Sequence, residues 1–495
     1  MPNKAMLIAI LFLSPGYLFS QKSDGREDHS IFREKIFVRT DKSNYMAGEM
    51  LWWKLYYTDA YLRRPASLSR IAYLEIIDPA GKPVLQAKSA LGKGGSNGVF
   101  FLPPSVSSGV YTLRAYTNWM KNFGPDYFFS KQIAIINALH PAGVSVSGQD
   151  SAANDNSGGP HQLTVSLAGC DKKYPSRKEV ILMVHTATSN GSVPATVSVA
   201  VYKVDSSSGA TGNLKKYLWA TPAQNTDVIK YPPEVDGQII TGDLKTSSGK
   251  PVANMVINLS VPAAHGAFYP ALTDSIGRFS FDVRNYYGPG RIILKTADDE
   301  RIDYHFTVTD PFFDVSGRNE KNIPTASHDS LSASATREAV DMQVQNIYHS
   351  QELGKSYLPD VDTLPFYGNH YVNYNLDDYV RFITVEEVLR EYIPQVAVRR
   401  INGQLELSVI DYLHKGYFIV KPLILLDGVA VSAKEILSYD PLKIKNLKVV
   451  TANYHLGEFI YGGVVSFSTY QSAAEDIPAT AKTTAFDYDG LQPVP

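Results

Sequence analysis

The sequence predicts a mainly β protein, built as tandem β-sandwiches followed by a small α+β domain. Three observations carry that reading. Tyr 31 and Gly 35 are high while Met 8 is low, the composition of chains rich in pleated, turn-punctuated structure. Short alternating apolar runs recur with turn groups between them over most of the length. Helix-start signals, by contrast, gather late in the chain.

Residues 1–20 read as a secretory signal. Lys4 precedes the unbroken apolar run Ala5 to Leu13, Ser14-Pro15-Gly16 breaks it, and Ser20 is a small residue at the expected cleavage point. The run is shorter than the ~20 apolar residues of a spanning helix, no later stretch is long enough to span as a helix, and no cysteine follows to carry a lipid. Export with cleavage is expected.

The segment 34–138 reads as a first sandwich: Lys35 to Arg39, Met50 to Thr58, Ile71 to Ile77 and Gly109 to Thr117 are strands, parted by Asp41-Lys42-Ser43-Asn44, Met46-Ala47-Gly48-Glu49 and Asp78 to Pro83. In the last strand Tyr111, Leu113 and Ala115 point one way, Thr112 and Arg114 the other. Residues 139–160, rich in Ser, Gly, Asn and Asp, read as linker. A second sandwich is expected over 161–230, with Val180 to Val184 as a buried strand and Ala195 to Val204 as an alternating one. A third, over 231–312, has strands at Gln238 to Leu244, Met255 to Val261, Gly277 to Val283 and Arg291 to Thr296. Residues 313–375 read as linker with one helix over Ala333 to Leu353, and 376–471 as the α+β domain. There, Thr384/Glu387 and Ser432/Glu435 are capping boxes and Asp440-Pro441 opens a helical turn. Residues 472–495 read as a disordered tail.

Composition narrows the function. Lys+Arg 47 against Asp+Glu 49 leaves a net charge of -2, so no global field favours nucleic acid. One cysteine, Cys170, excludes an intrachain disulfide or a cysteine-rich zinc site. Neither HExxH, GxSxG nor a Walker loop is present. The run Gly92-Lys93-Gly94-Gly95-Ser96-Asn97-Gly98 reads as a hairpin loop and not a phosphate cradle. The 11 His are scattered without metal-ligand spacing. Acidic pairs such as Asp298-Asp299, Asp377-Asp378 and Glu386-Glu387 fit turns and solvated faces better than a catalytic couple. No catalytic residue, metal or cofactor is expected. Trp52, Trp53, Tyr56 and Tyr57 read as core or interdomain packing, with a sugar platform as the alternative. Trp119, Phe123, Tyr127, Phe128 and Phe129 lie in a loop, where exposed aromatics favour protein contact.

Three stretches resemble known families. FVRTDKSNYMAGEMLWWKLYYTDA (Phe37 to Ala60) with GVYTLRAYTNWM (Gly109 to Met120) resembles the macroglobulin-type, immunoglobulin-like sandwich of the alpha-2-macroglobulin superfamily. That superfamily's trapping inhibitors carry a Cys-Gly-Glu-Gln thioester, whereas this chain has Cys170-Asp171-Lys172. GQIITGDL, SGKPVANMVI and TDSIGRFSFDV, within Gly237 to Thr296, are similar to the carboxypeptidase regulatory-like sandwich. Pro422 to Gln471 resembles the plug domain of TonB-dependent outer-membrane receptors, here without the barrel. The combination resembles surface or periplasmic proteins of Gram-negative bacteria, associated with the outer membrane.

The expectation is a non-enzymatic exported protein whose plug-like domain docks, through edge-strand addition, on an outer-membrane barrel or transport complex. The candidate interface is Trp119, Phe123, Tyr127 and Phe128 from the loop and Asp427, Gly428, Tyr454 and Tyr461 from the plug-like domain. Two other readings are carried: a macroglobulin-like protein that binds proteases or glycans, and a hydrolase with accessory sandwiches. If Pro422 to Gln471 instead extended a neighbouring sandwich, with its own apolar contacts already saturated, the docking reading would collapse.

Overall fold

The computed structural model describes residues 32–62, 64–138, 163–169, 173–174, 179–195, 197, 199, 229–262, 267–297, 303–314, 333–353, 355–358, 364–471 and 483–493. The signal-like run, Cys170 and most of Ala195 to Val204 lie outside them. The described chain is mostly β, arranged in several sheets.

The first sandwich packs a three-stranded sheet (Glu34–Thr40, Met50–Asp59, Gly95–Phe101) on a five-stranded one. The second sheet runs Asn44–Met46, Phe129–Ile136, Gly109–Tyr116, Ile71–Ile77, Pro83–Ala90, and its first pair is parallel. Period-two alternation decides what faces inward. Leu51, Trp53, Leu55 and Tyr57 are buried, while Trp52 is 38% exposed on the outer face. The two turns around Asn44–Met46 hold each other: Tyr45 donates its hydroxyl to Asp41 at 2.7 Å, Lys42 pairs with Glu49 at 2.8 Å, and Glu49 accepts from the Met46 amide at 2.8 Å.

The glycine run is only half a loop. Gly92 and Gly95 close the turn, and Gly95 already begins a strand. A Cβ on Gly95 would sit 1.9 Å from the Leu55 carbonyl oxygen, and one on Gly98 would sit 2.2 Å from the Trp53 indole, its direct cross-strand partner. These glycines are there for close approach to the neighbouring strand.

In the interval expected to hold a second sandwich, Thr164–Ala168, Met183–Thr188 and Gly191–Ser192 form a three-stranded antiparallel sheet. The expected buried strand Val180 to Val184 is corrected: the strand begins at Met183, and all five residues are exposed. Apolar composition marked the segment, but nothing among the described residues covers it.

The third sandwich pairs Arg278–Val283, Gln238–Thr246 and Tyr304–Val308 in one sheet and Ala267–Leu272, Val256–Val261, Pro289–Thr296 and Thr483–Asp489 in the other. The last member corrects, over residues 483–493, the reading of 472–495 as a disordered tail. Thr483–Asp489 pairs along its whole length with Pro289–Lys295, and Leu491 is buried in the core of the first sandwich. Its alternation, Phe486 and Tyr488 inward with Ala485 and Asp487 outward, is short enough to pass for a polar tail.

The helix Ala333–Leu353 lies against the turn at Gly48, whose carbonyl accepts from the Asn346 amide at 2.9 Å. The α+β unit then has a five-stranded sheet in the order Val372–Asn375, Ile444–Val450, Val464–Thr469, Leu423–Leu426, Val429–Ala430. Val372–Asn375 falls where a coil was expected. Both capping boxes are formed as read, opening Val385–Tyr392 and Ala433–Leu437. Residues of alternate parity separate the two sheet faces. Ile424, Leu426, Val449, Val465 and Phe467 face the helices and the hairpin Val396–Ile401/Gln404–Asp411. Leu423, Leu425, Val450 and Val464 face Phe268 of the third sandwich together with Phe366, Tyr367 and Tyr371. Lys295 adds a 2.7 Å ion pair to Glu435 across that junction.

Candidate functional site

The densest chemistry lies where the first and third sandwiches meet, between the strands Ile71–Ile77 and Gly109–Tyr116 and the segments 231–239 and 310–314. Glu75 and Arg114 face each other across adjacent strands and form a buried ion pair at 2.7 Å. Arg114 also donates to the Phe313 carbonyl at 3.1 Å, and Tyr116 donates its hydroxyl to Glu75 at 2.9 Å while accepting from the Phe313 amide at 2.8 Å. Tyr73 stacks on Tyr116 at 5.6 Å between centroids, Phe312 meets Tyr73 edge-on, and Phe313 meets Phe128 edge-on. The outward face of Gly109–Tyr116, read from alternation alone as Thr112 and Arg114, is therefore buried too.

A second charged group adjoins it. Glu234 accepts from the Tyr73 hydroxyl at 2.8 Å and the Ile239 amide at 2.9 Å, and its Oε2 is buried without a hydrogen-bond partner. Lys121 donates to the Pro311 carbonyl and lies 4.8 Å over the Tyr73 ring. Lys88 lies 3.8 Å over the Tyr488 ring and donates to Gln238 at 3.3 Å. Burial pushes the Glu234 carboxyl up to about 7, and burial pulls both lysines down to about 8 against the attraction of Glu234. An open cleft of about 1560 Å³ runs from Tyr73, Lys121 and Tyr231 past Arg284 to Phe459 of the α+β unit.

Elsewhere, Glu34 is buried and accepts from Tyr57, from Thr117 and from both the amide (3.0 Å) and hydroxyl (2.9 Å) of Ser69. Glu34, Ser69 and Thr117 superficially suggest a nucleophile with its base. All three are sealed from solvent and spent on one another, so no substrate reaches them. Among the described residues no group of three or more His, Cys, Asp and Glu side chains is placed to hold a metal ion.

The residues singled out from sequence turn inward. Trp119–Phe123 and Pro125–Tyr127 form short 3-10 helices. Trp119 donates its indole N–H to the Phe32 carbonyl at 2.7 Å, the Arg33 guanidinium lies 4.8 Å over Phe123, and Tyr127 packs edge-on to Phe123. Phe128 is buried, stacked on Tyr116 at 4.4 Å, which corrects its reading as an exposed loop aromatic. Asp427 and Gly428, both at positive φ, make the two-residue turn between Leu426 and Val429, as a type I′ hairpin requires. The Asp427 carboxylate accepts from the Thr469 amide at 2.8 Å and hydroxyl at 2.7 Å. Tyr454 and Tyr461 are cross-strand partners. Tyr454 donates to the Phe366 carbonyl at 2.6 Å, and Tyr461 meets Phe268 edge-on at 6.3 Å. Glu75, Arg114, Lys88, Lys121 and Glu234 were missed. For Glu75, Lys88 and Arg114 the available signal was a charged residue inside a strand; Lys121 and Glu234, outside strands, gave none.

What the α+β unit does expose is its outer layer. Ile419 is 102% and Leu413 84% exposed, with Tyr412, Tyr417, Val420 and Ile401 also open. They lie on and just beyond the hairpin that covers the sheet face opposite Phe268.

No family model matches the chain, and no curated protein matches it. Solved structures with some likeness include native E. coli alpha-2-macroglobulin, 13% identical over 56% of this chain and 14% of that one, TM-score 0.18. They also include Salmonella alpha-2-macroglobulin reacted with methylamine, 12% identical over 56% and 14%, TM-score 0.18. Dimeric latent PorU from Porphyromonas gingivalis is 9% identical over 56% and 33%, TM-score 0.18. This chain thus spans well under two thirds of each.

Proposed function

We propose that this chain is a non-catalytic exported protein in which β-sandwiches hold a plug-like α+β unit and present its outer hairpin to a protein of the outer membrane, a barrel or a transport complex. The observation that carries the reading is the exposed apolar group Tyr412, Leu413, Tyr417, Ile419 and Val420. Exposed apolar surface of this kind marks contact sites. The proposal moves the docking face. The sheet face bearing Leu423, Leu425, Val450 and Val464 is covered by Phe268 and its aromatic neighbours, so a partner meets the opposite side. Buried hydrogen bonds and aromatic contacts between the sandwiches suit a spacer that keeps its angle, and the sealed Glu34 group gives no support to catalysis. Export rests on the Lys4 to Ser20 pattern.

The test is photo-crosslinking from Leu413 and Ile419 in intact envelopes of producing cells, with Lys245 on the third sandwich as control. Adducts with an outer-membrane protein at Leu413 and Ile419 but not at Lys245 are expected. The same background at all three positions overturns the proposal. A glycan-binding reading is favoured by one observation, the outward Trp52. Loss of polysaccharide retention in Trp52→Ala, with Ile419→Asp unaffected, would select it instead.

A further inference from the structure

The segment 483–493 closes the edge of the third sandwich through contacts of the kind that also hold a docked peptide. Its backbone runs antiparallel to Pro289–Lys295 through seven residue pairs. Phe486 and Tyr488 enter the third sandwich's core at alternate positions, and Tyr488 stacks on Tyr286 at 6.2 Å. The chain then crosses to the first sandwich. Leu491 enters that core, its amide donates to the Tyr286 carbonyl at 2.8 Å, and its carbonyl accepts from the Gly288 amide at 2.8 Å. The Gln492 amide donates to the Lys88 carbonyl at 2.7 Å, and its side chain donates to the Val99 carbonyl. Gly490 lies so close to the 286–288 turn that a Cβ would come within 2.4 Å of the Tyr286 carbonyl oxygen. A main-chain ladder, alternate side-chain pockets and one required glycine are the elements of recognition by strand addition.

Only the eleven residues 472–482 tie this segment to the α+β unit, a span that reaches at most ~40 Å when extended. None of its contacts depends on that tie, so the same segment can arrive from another chain. Without it, Pro289–Thr296 becomes an open edge, a template for a foreign strand.

We propose that the groove formed by Pro289–Thr296, the 286–288 turn and the rim at Lys88 and Val99 is a strand-acceptor site for extended segments of the pattern Phe-x-Tyr-x-Gly-Leu-Gln. Its own segment fills it in cis, and the occupant it exchanges for is the 483–493 segment of a second copy. This does not rest on the docking proposal above.

The probe is a labelled peptide of residues 481–493, offered to the full chain carrying Cys170→Ser. Three forms are compared: unmodified, Leu491→Ala, and a form locked by a disulfide at Arg291→Cys with Asp487→Cys, which face each other across the ladder. Losing the buried Leu491 weakens cis occupancy, so Leu491→Ala captures about tenfold or more peptide than the locked form. Gln492→Ala, which removes one side-chain bond, captures an intermediate amount and serves if Leu491→Ala does not fold. Two differently tagged full chains, mixed at high concentration, pull each other down unless locked. Equal capture by all forms, or equal capture of a scrambled peptide, overturns the acceptor site. Peptide capture without exchange between tagged copies overturns the second-copy occupant.

Discussion

Phe268→Ala is the substitution that most sharply separates an internally seated α+β unit from an unseated one. Phe268 sits on the strand Ala267–Leu272, yet its side chain points away from its own sandwich: Ala267, Tyr269 and Ala271 pack on that core, and Phe268 packs on Leu423, Leu425 and Val464. It stacks with Phe366 at 5.8 Å and meets Tyr461 edge-on. Truncating a buried Phe costs about 3–5 kcal/mol through lost transfer energy and the cavity left behind. Because the side chain belongs to the junction, that cost falls on the α+β unit. For a unit of about 100 residues, each kcal/mol lowers the midpoint by roughly 4 °C or more. Scanning calorimetry of Phe268→Ala therefore shows a new endotherm about 10 °C or more below that of the unmodified protein, while the sandwich transition stays in place. Leu272→Ala, on the same strand but half-exposed, shows neither change. An unshifted endotherm in Phe268→Ala would mean that the contact contributes nothing to holding the unit, and the seating argument would fail.

Other expectations follow from the junction chemistry. Glu234 ionises near pH 4.5 in the unfolded chain and near 7 in the fold, so stability present below pH 4.5 is lost as pH rises to 7, by about 3 kcal/mol. Glu234→Gln keeps an acceptor for Tyr73 and Ile239; its melting temperature should match the unmodified protein near pH 4.5 and exceed it at pH 7.5, and parallel pH profiles would refute this. Arg114→Met leaves Glu75 buried and uncompensated, and urea titration should show a loss of about 3–5 kcal/mol; a loss below ~1 kcal/mol would show that the pair is dispensable. Gly95→Ala should abolish soluble folded protein, since its Cβ meets the Leu55 backbone, whereas Gly81→Ala, which meets nothing within 4 Å, should yield folded protein weakened by about 1 kcal/mol at its positive φ; circular dichroism distinguishes the two.

Local patterns were readable in the sequence where local physics decides them. The capping boxes at Thr384 and Ser432, the Asp427-Gly428 hairpin and the strand Met50–Asp59 each follow from neighbours within a few residues. What escaped depended on partners far along the chain. Arg114 looked solvent-facing because alternation cannot foresee Phe312 and Phe313, some two hundred residues later, covering that face. Thr483–Asp489 looked like a tail because its pairing partner lies before the whole α+β unit. Phe128 looked like a loop aromatic because its stacking partner Tyr116 belongs to a strand face that appeared open. The packing of Tyr454 on Phe366 and of Tyr461 on Phe268 escaped for the same reason, and the exposed apolar residues Leu413 and Ile419 sit in a stretch to which sequence reading gave no role.

Hydrogen exchange on the isolated protein tests the internal seating of the α+β unit most directly. Amides of Leu423–Leu426 and Val464–Thr469 should exchange as slowly as those of Ile71–Ile77 in the first sandwich, with no partner present. Fast exchange in those two strands, slowed only when envelope extract is added, would contradict the account and return the sheet's open face to an outside partner.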